Sequence, residues 1–191
     1  MKATDILMQE HRAIERALNI LDIAAKKLEE GETIPAGLIG DTMQFIRLFA
    51  DRCHHGKEEG FLFPALERSG LPKESGPLAV MQTDHDEGRA LVRSMGEGLR
   101  QIEAGNAGAV PRFCRDSRDF SSLLRAHIMK EDHVLFVMAD MRLPDAEKDK
   151  LTEDFMAAEA SGEACRSKAE LLRSLERIER EIVIENATVR S

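Results

Sequence analysis

HHGKEEGFLF, residues 54 to 63, returns in altered form as HIMKEDHVLF at residues 127 to 136, and this pair of stretches decides the fold. Aligned without gaps, His54 falls on His127, Lys57 on Lys130, Glu58 on Glu131, Glu59 on Asp132, Leu62 on Leu135 and Phe63 on Phe136, each 73 positions apart. Residues four apart on a helix share a face, with Cβ atoms roughly 5–6 Å from each other. His54 with Glu58, and His127 with Glu131, can therefore each grip one ion. Neutral imidazole combined with carboxylate suits Zn, Fe, Mn or Ni rather than Ca or Mg, which take all-oxygen shells. A single such pair reads as a solvated helix face; its repetition points to two half-sites.

Working outward, the apolar residues keep the three-four spacing of helices that pack on other helices. A first helix over Thr4 to Glu30 carries Leu7, Ile14, Leu18, Leu21, Ala25 and Leu28, with His11 filling a gap in the stripe and Gly31 as the stop. A second, with Pro35 at its first turn, carries Met43, Ile46, Ala50, His54, Glu58, Phe61 and Ala65 and ends at Ser69-Gly70-Leu71-Pro72. A third opens near Pro77 with Leu78, Met81, His85, Gly88, Val92, Met95, Leu99 and Ile102. The fourth, from about Pro111, carries Phe113, Ser117, Phe120, Leu124, His127, Glu131, Val134 and Met138 and stops at Leu143-Pro144. Beyond it, Asp145 is a plausible N-cap for one long or two short helices carrying Leu151, Phe155, Ala158, Gly162, Cys165, Ala169 and Leu172, and no histidine.

EHRAIERAL at residues 10 to 18 resembles DHDEGRAL at 84 to 91, which places His11 over His85, 74 positions apart. The whole helical hairpin is thus duplicated. The expected fold is all-α: an antiparallel up-down four-helix bundle over residues 1–143, with a carboxy-terminal helical extension over 144–191 packing on it. Short connections make neighbouring helices antiparallel, so His11 and His85 come level with His54, Glu58, His127 and Glu131 in the bundle interior. A carboxylate buried without a partner would protonate or refuse burial, and a metal removes that penalty. Six ligands suggest two ions bridged by the carboxylates, roughly 3.5–4 Å apart as in other two-metal sites. A hydrogen-bonded His/Glu network in a plain bundle is the competing reading.

Length and charge narrow the rest. At 191 residues one domain is expected, and a net charge of −8 argues against nucleic acid and anionic membrane as partners. No apolar run approaches the ~18 residues of a membrane span, and MKATDILMQEHR lacks a signal peptide's apolar segment, so a cytoplasmic protein is expected. Cys53, Cys114 and Cys165 are odd in number and form no CxxC pair; they read as reduced core residues, with Cys53, beside His54, also able to serve as a soft ligand. Tyrosine is absent from the sequence, which excludes a tyrosyl radical or a tyrosine ligand. Ferritin-like di-iron proteins use Glu-x-x-His, the opposite order to this chain.

With these motifs, residues 4 to 143 resemble the hemerythrin-like family, the bacterial proteins whose cation-binding domain is named for its His-His-Glu signature. HHGKEEGFLFPAL and HIMKEDHVLF look like its second- and fourth-helix motifs, and His11 and His85 like its first- and third-helix ligands. The resemblance implies a non-haem di-iron centre with oxygen-derived bridges, hence two iron ions, zinc or manganese being the alternatives. Oxygen-carrying members place His-x-x-x-His on the third helix, whereas here Arg89 stands four after His85 and Met81 four before. His55 is expected to fill that gap, although its counterpart in the second repeat is Ile128. The expected ligand set is therefore His11, His54, His55, Glu58, His85, His127 and Glu131. Glu59 and Asp132 are expected to orient ligands or face solvent, and His133 to lie on the surface.

The family's iron-sulfur repair branch carries a cysteine-bearing N-terminal segment that this sequence lacks, which speaks against that role. The leading expectation is a module that takes up O2 or a related small ligand, NO or peroxide, for sensing, storage or protection. An enzyme acting on peroxide or in NO and iron stress, and a metal store or zinc-stabilised bundle, are the other classes; the sequence does not separate them. Gly88, one turn after His85 on the third-helix stripe, is expected either to allow close packing or to leave a pocket for the small ligand beside one metal.

Overall fold

The computed structural model describes residues 2–32, 34, 36–161 and 168–188, with side chains described at all of these except 36 and 183–188. Pro35, Gly162 and Cys165, each expected to belong to a helix, lie outside the described residues. Among the described residues six long helices follow one another, with a short 3-10 turn at Ala107–Ala109 between the third and the fourth. Helix α1 spans Ala3–Glu29 and α3 Gly76–Glu103, with Pro77 in its first turn. Helix α2 covers 36–68: it begins as Ala36–Phe45, passes through π-helical turns at Ile46–His55 and Glu58–Leu62, and ends as Phe63–Arg68. Helix α4 covers 110–142, with a π-helical turn at Glu131–Leu135 between Val110–Lys130 and Phe136–Arg142. The segment after Pro144 forms two helices, α5 (Asp145–Ser161) and α6 (Lys168–Thr188). Asp145 is already helical, and the Pro144 carbonyl accepts the amides of Glu147 and Lys148.

The helix ends follow from local chemistry. After α1, α2 and α3 comes a glycine with positive φ, Gly31 at 74°, Gly70 at 97° and Gly105 at 87°. In each case its amide donates to the carbonyl three residues back, and the next amide reaches five back, as in Glu32 to Lys27 and Asn106 to Gln101. This left-handed cap satisfies the last carbonyls and is open to glycine at no steric cost.

The apolar stripes bury two separate clusters. One joins Ile14, Leu18 and Leu21 of α1 to Phe45 and Phe49 of α2, Met95 of α3, Phe113 and Phe120 of α4, and Leu175, Ile178 and Ile182 of α6. The other joins Leu7 of α1 to Leu62 and Leu66 of α2, Met81 of α3, Leu135 and Phe136 of α4, and Leu151 and Phe155 of α5. Between them, buried and polar, lie Glu10, His11, His54, His55, Lys57, Glu58, His85, His127 and Glu131. Helix α6 thus packs on one end of the bundle and α5 on the other.

The π turns correct two stripes. An i→i+5 turn carries an extra residue, so the buried face past Glu131 moves to Leu135 and Phe136 while Val134 is 48% exposed. Past Glu58 the same shift buries Leu62 and Phe63 and leaves Phe61 only partly covered. On α6, Leu172 packs against the core beside the buried Leu175, Ile178 and Ile182, while Ala169, read as part of the same stripe, is exposed. Among the described residues no helix is long and apolar enough to cross a membrane.

Candidate metal centre

The polar layer resolves into two groups that share one carboxylate. His11, His54, Glu58 and Glu131 offer ligand atoms all within 4.8 Å of one another, and so do His55, Glu58, His85 and His127. Glu58 faces both: its Oε1 is 3.6 Å from His54 Nε2 and its Oε2 is 3.4 Å from His85 Nε2. Glu131 Oε2 lies 3.1 Å from His11 Nε2 and 3.2 Å from His127 Nε2. Two ligands about 2.1 Å from one ion at a right angle stand about 3 Å apart, so these separations match side chains placed around common ions. Each carboxylate touches histidines of both halves, which is what bridging requires.

The histidines are aimed. Each of four imidazoles turns its Nδ1 to a carboxylate: His11 to Asp132 at 2.7 Å, His54 to Glu10 at 3.0 Å, His85 to Glu59 at 2.6 Å and His127 to Asp84 at 3.1 Å. A carboxylate accepts, so each Nδ1 donates its proton outward and directs Nε2 to the centre, the arrangement that fixes ring orientation and basicity in metal-binding histidines. The acids are themselves anchored. Lys57 donates to Glu10 and Lys130 to Asp84; Arg12 donates to Asp132 and Arg89 to Glu59. Glu10, His54 and Lys57 therefore repeat as Asp84, His127 and Lys130, so the duplication extends to the groups behind the ligands.

The inward atoms are left over. His11 Nε2, His54 Nε2, both nitrogens of His55, and both oxygens of Glu58 and of Glu131 are buried without a hydrogen-bond partner. His85 Nε2 and His127 Nε2 face each other at 3.1 Å. Native interiors pair nearly all such groups, and an ionised carboxylate in a dry interior is costly unless paired or metal-bound. The donor set of imidazole nitrogens and carboxylate oxygens fits iron, zinc or manganese.

Without metal, protons balance the charge. Burial would lower the His11 and His127 pKa values, yet the surrounding carboxylates outweigh it and raise them to about 9 and about 10. For His11 these are Asp132 and Glu131; for His127, Glu131 and Asp84. Burial would raise Glu131, but His127 and His11 hold it well below the usual range. His55 moves the other way, pushed well down by burial and by the neighbouring His85 charge. It is a neutral imidazole with a free lone pair, its ring stacked 3.8 Å from that of His85.

His55 makes the two groups unequal. The group around His85 and His127 holds His55, Glu58 and, through the 3.2 Å contact, Glu131; the group around His11 and His54 holds the two carboxylates alone. The position matching His55 in the other half is Ile128, buried in the apolar core. Arg89, where oxygen carriers would have a histidine, donates instead to Asp51 at 2.8 Å and Glu59 at 2.6 Å.

A cavity of about 190 Å³, lined by Ile46, Ala50, His55, Gly88, Val92 and Phe120 among others, ends against the outer side of His55. Gly88 thus lines a cavity on the side of the group that holds His55. A Cβ there would meet Phe120 Cε2 at 3.7 Å and Leu123 Cδ2 at 4.0 Å, ordinary contacts, so close packing is not what requires this glycine.

All seven sequence-derived candidates meet in this layer. Asp132 and Glu59 stand behind His11 and His85, and His133 is exposed. Glu10 and Asp84 were missed as functional residues, although an acid precedes His11 and His85 in both repeats. Their acids serve the histidine of the neighbouring helix, which spacing along one helix does not reveal. The cysteine expectation needs correction. Cys114 is a free buried thiol whose Sγ donates to the Ala25 carbonyl, but Cys53 is disulfide-bonded. The residues around Cys53 include Glu159, from a helix about a hundred positions later, so the local sequence could not show its environment.

The model of the hemerythrin HHE cation-binding domain matches residues 2–139 of this chain. An uncharacterized protein of Mycobacterium tuberculosis is 28% identical over 134 residues, covering 70% of this chain and 52% of the relative. The iron-sulfur cluster repair protein YtfE of Yersinia pestis is 28% identical over 141 residues, covering 70% of this chain and 62% of that protein. The chain thus spans about half the length of the mycobacterial relative it matches.

Proposed function

The chain belongs to the hemerythrin HHE cation-binding domain family, and from that premise we propose that it holds two iron ions and takes up a small ligand such as O2, NO or peroxide at one of them. The single observation that carries this reading is the set of buried, unpartnered imidazole nitrogens and carboxylate oxygens with Glu58 common to both groups. His55, His85 and His127 would hold one ion and His11 and His54 the other, with Glu58 and Glu131 between them. When bound, an iron pair supplies one-electron chemistry and affinity for diatomic and peroxidic ligands. The protein's own part is to orient the imidazoles of His11, His54, His85 and His127 through Nδ1 protons donated to Asp132, Glu10, Glu59 and Asp84, and to exclude water with the apolar clusters above and below.

The ligand would be taken on the His11/His54 side, where one fewer side chain is offered and Ile128 replaces the fifth imidazole. Ligand uptake would serve sensing, storage or protection. A second reading, a role in NO and iron stress, is favoured by the relative named as an iron-sulfur cluster repair protein. Exposing the iron-loaded protein separately to O2, NO and hydrogen peroxide while recording its optical spectrum tests both. A reversible change with O2 supports uptake, a change confined to NO supports the stress reading, and an unchanged spectrum with all three contradicts ligand binding.

A further inference from the structure

Helices α5 and α6 lie beyond the matched residues 2–139, yet they end on the site. Glu159 in the last turn of α5 and Lys168 at the start of α6 converge with Lys57 of α2 on Glu10 of α1. Glu10 Oε1 accepts from Lys57 and from Lys168, the latter at 2.6 Å, while its Oε2 accepts from His54 Nδ1 at 3.0 Å. Glu159 Oε1 accepts from both lysines, at 2.6 and 2.9 Å. Two carboxylates and two ammonium groups cancel, and Lys57 at 1% exposure is buried by the arrangement. The cluster also brings Glu10, Glu159 and Cys53 together, but the lysines and the disulfide at Cys53 already occupy those atoms, so it is no third metal site.

The other half of the bundle is the natural comparison. There Asp84 Oδ2 accepts from His127 Nδ1 at 3.1 Å and from Lys130 at 2.5 Å, and the lysine is 40% exposed. The same triad is thus solvated in one half and covered by the carboxy-terminal helices in the other. The covered triad serves His54, which belongs to the group offering fewer side chains. Ion pairs strengthen as water is excluded, and removing one partner of a buried pair leaves an uncompensated charge. With α5 and α6 docked, Glu10 accepts from Lys168 as well as from Lys57 and His54.

We propose that Lys168 and Glu159 are positioning residues: through Glu10 they fix His54, so that the carboxy-terminal helices set how tightly the His11/His54 half-site keeps its ion. This rests on reading the layer as a two-ion site. The ion held by His55, His85 and His127, whose outer acids are solvated or tied to Arg89, is independent of these helices.

The test loads the full chain with iron, confirms two ions, and follows their release to an excess of chelator by absorbance and metal analysis. Loss of an orienting partner typically weakens metal holding 10–100-fold. Lys168→Met and Glu159→Gln should accelerate release of one ion by about that factor and leave the other at the wild-type rate; Lys168→Arg should restore it. Glu179→Gln, which breaks the half-exposed α6 contact to Arg16 about three turns further along, removes a docking contact outside the quartet, leaves the quartet in place, and should release both ions as wild type does. Lys130→Met should affect the other ion. Wild-type release from Lys168→Met and Glu159→Gln, or equal acceleration of both ions in these and in Glu179→Gln, would overturn the proposal. A wild-type chain that never holds two ions would instead overturn the site reading beneath it.

Discussion

His55 and Ile128 stand at equivalent positions in the two halves of the bundle, both buried, and only His55 carries ring nitrogens. This difference makes the two groups of donor atoms unequal.

Supplying the missing imidazole should remove the inequality. Ile128→His is expected to keep two ions and to lose the spectral change produced by small ligands, because the extra nitrogen competes for the place where they would be taken up. Metal analysis together with ligand titration checks this. A variant with two ions and an undiminished ligand response would place uptake elsewhere.

Removing metal should lower the melting temperature, because anything that binds only the folded chain stabilises it. Calorimetry of metal-free and loaded protein compares the two. Coincident transitions would mean that the layer does not hold the ion.

The metal-free protein should be pH-sensitive in a defined direction. His11 and His127 have pKa values raised to about 9 and about 10 in the folded chain, against 6.5 for an unperturbed histidine. Their protonation therefore contributes stability that is complete below about pH 6.5 and is lost as the pH rises through about 9 to about 10. Denaturant midpoints of metal-free protein should fall over that window. Midpoints that stay level or rise would show that these imidazoles are not held protonated against Glu131, Asp132 and Asp84.

Two glycines should respond oppositely to alanine. At Gly88 the added methyl meets only ordinary contacts, and replacing a helical glycine is worth about 1 kcal/mol, so Gly88→Ala should stabilise by up to about that amount. At Gly98 the methyl would lie 3.3 Å from Phe113 Cβ, and Gly98→Ala should gain less or destabilise. Thermal melts of both variants decide it. A destabilised Gly88→Ala would mean that the wall of the cavity does not accept a methyl group.

The duplicated motif and the three-four spacing make the four bundle helices and their stops readable in the sequence, since Gly31, Gly70 and Gly105 are demanded by the backbone conformation that ends a helix. What the period missed lies past Glu58 and Glu131. Each begins a π-helical turn that moves the buried face by one residue, so Leu62 and Leu135 pack where Phe61 and Val134 were expected. The ligands were legible because an ionisable group on an apolar stripe is conspicuous. Glu10 and Asp84 were not, since each acts across a helix interface, and neither was the route from Lys168 to His54, which joins residues more than a hundred positions apart.

Metal stoichiometry tests most directly whether Glu58 is common to two metal half-sites. Elemental analysis of the chain produced with ample iron should give two ions per wild-type chain, and Glu58→Ala should lose both, because Glu58 reaches His54 of one group through Oε1 and His85 of the other through Oε2. A wild-type chain without stoichiometric metal, or a Glu58→Ala chain that still holds two ions, would contradict the account.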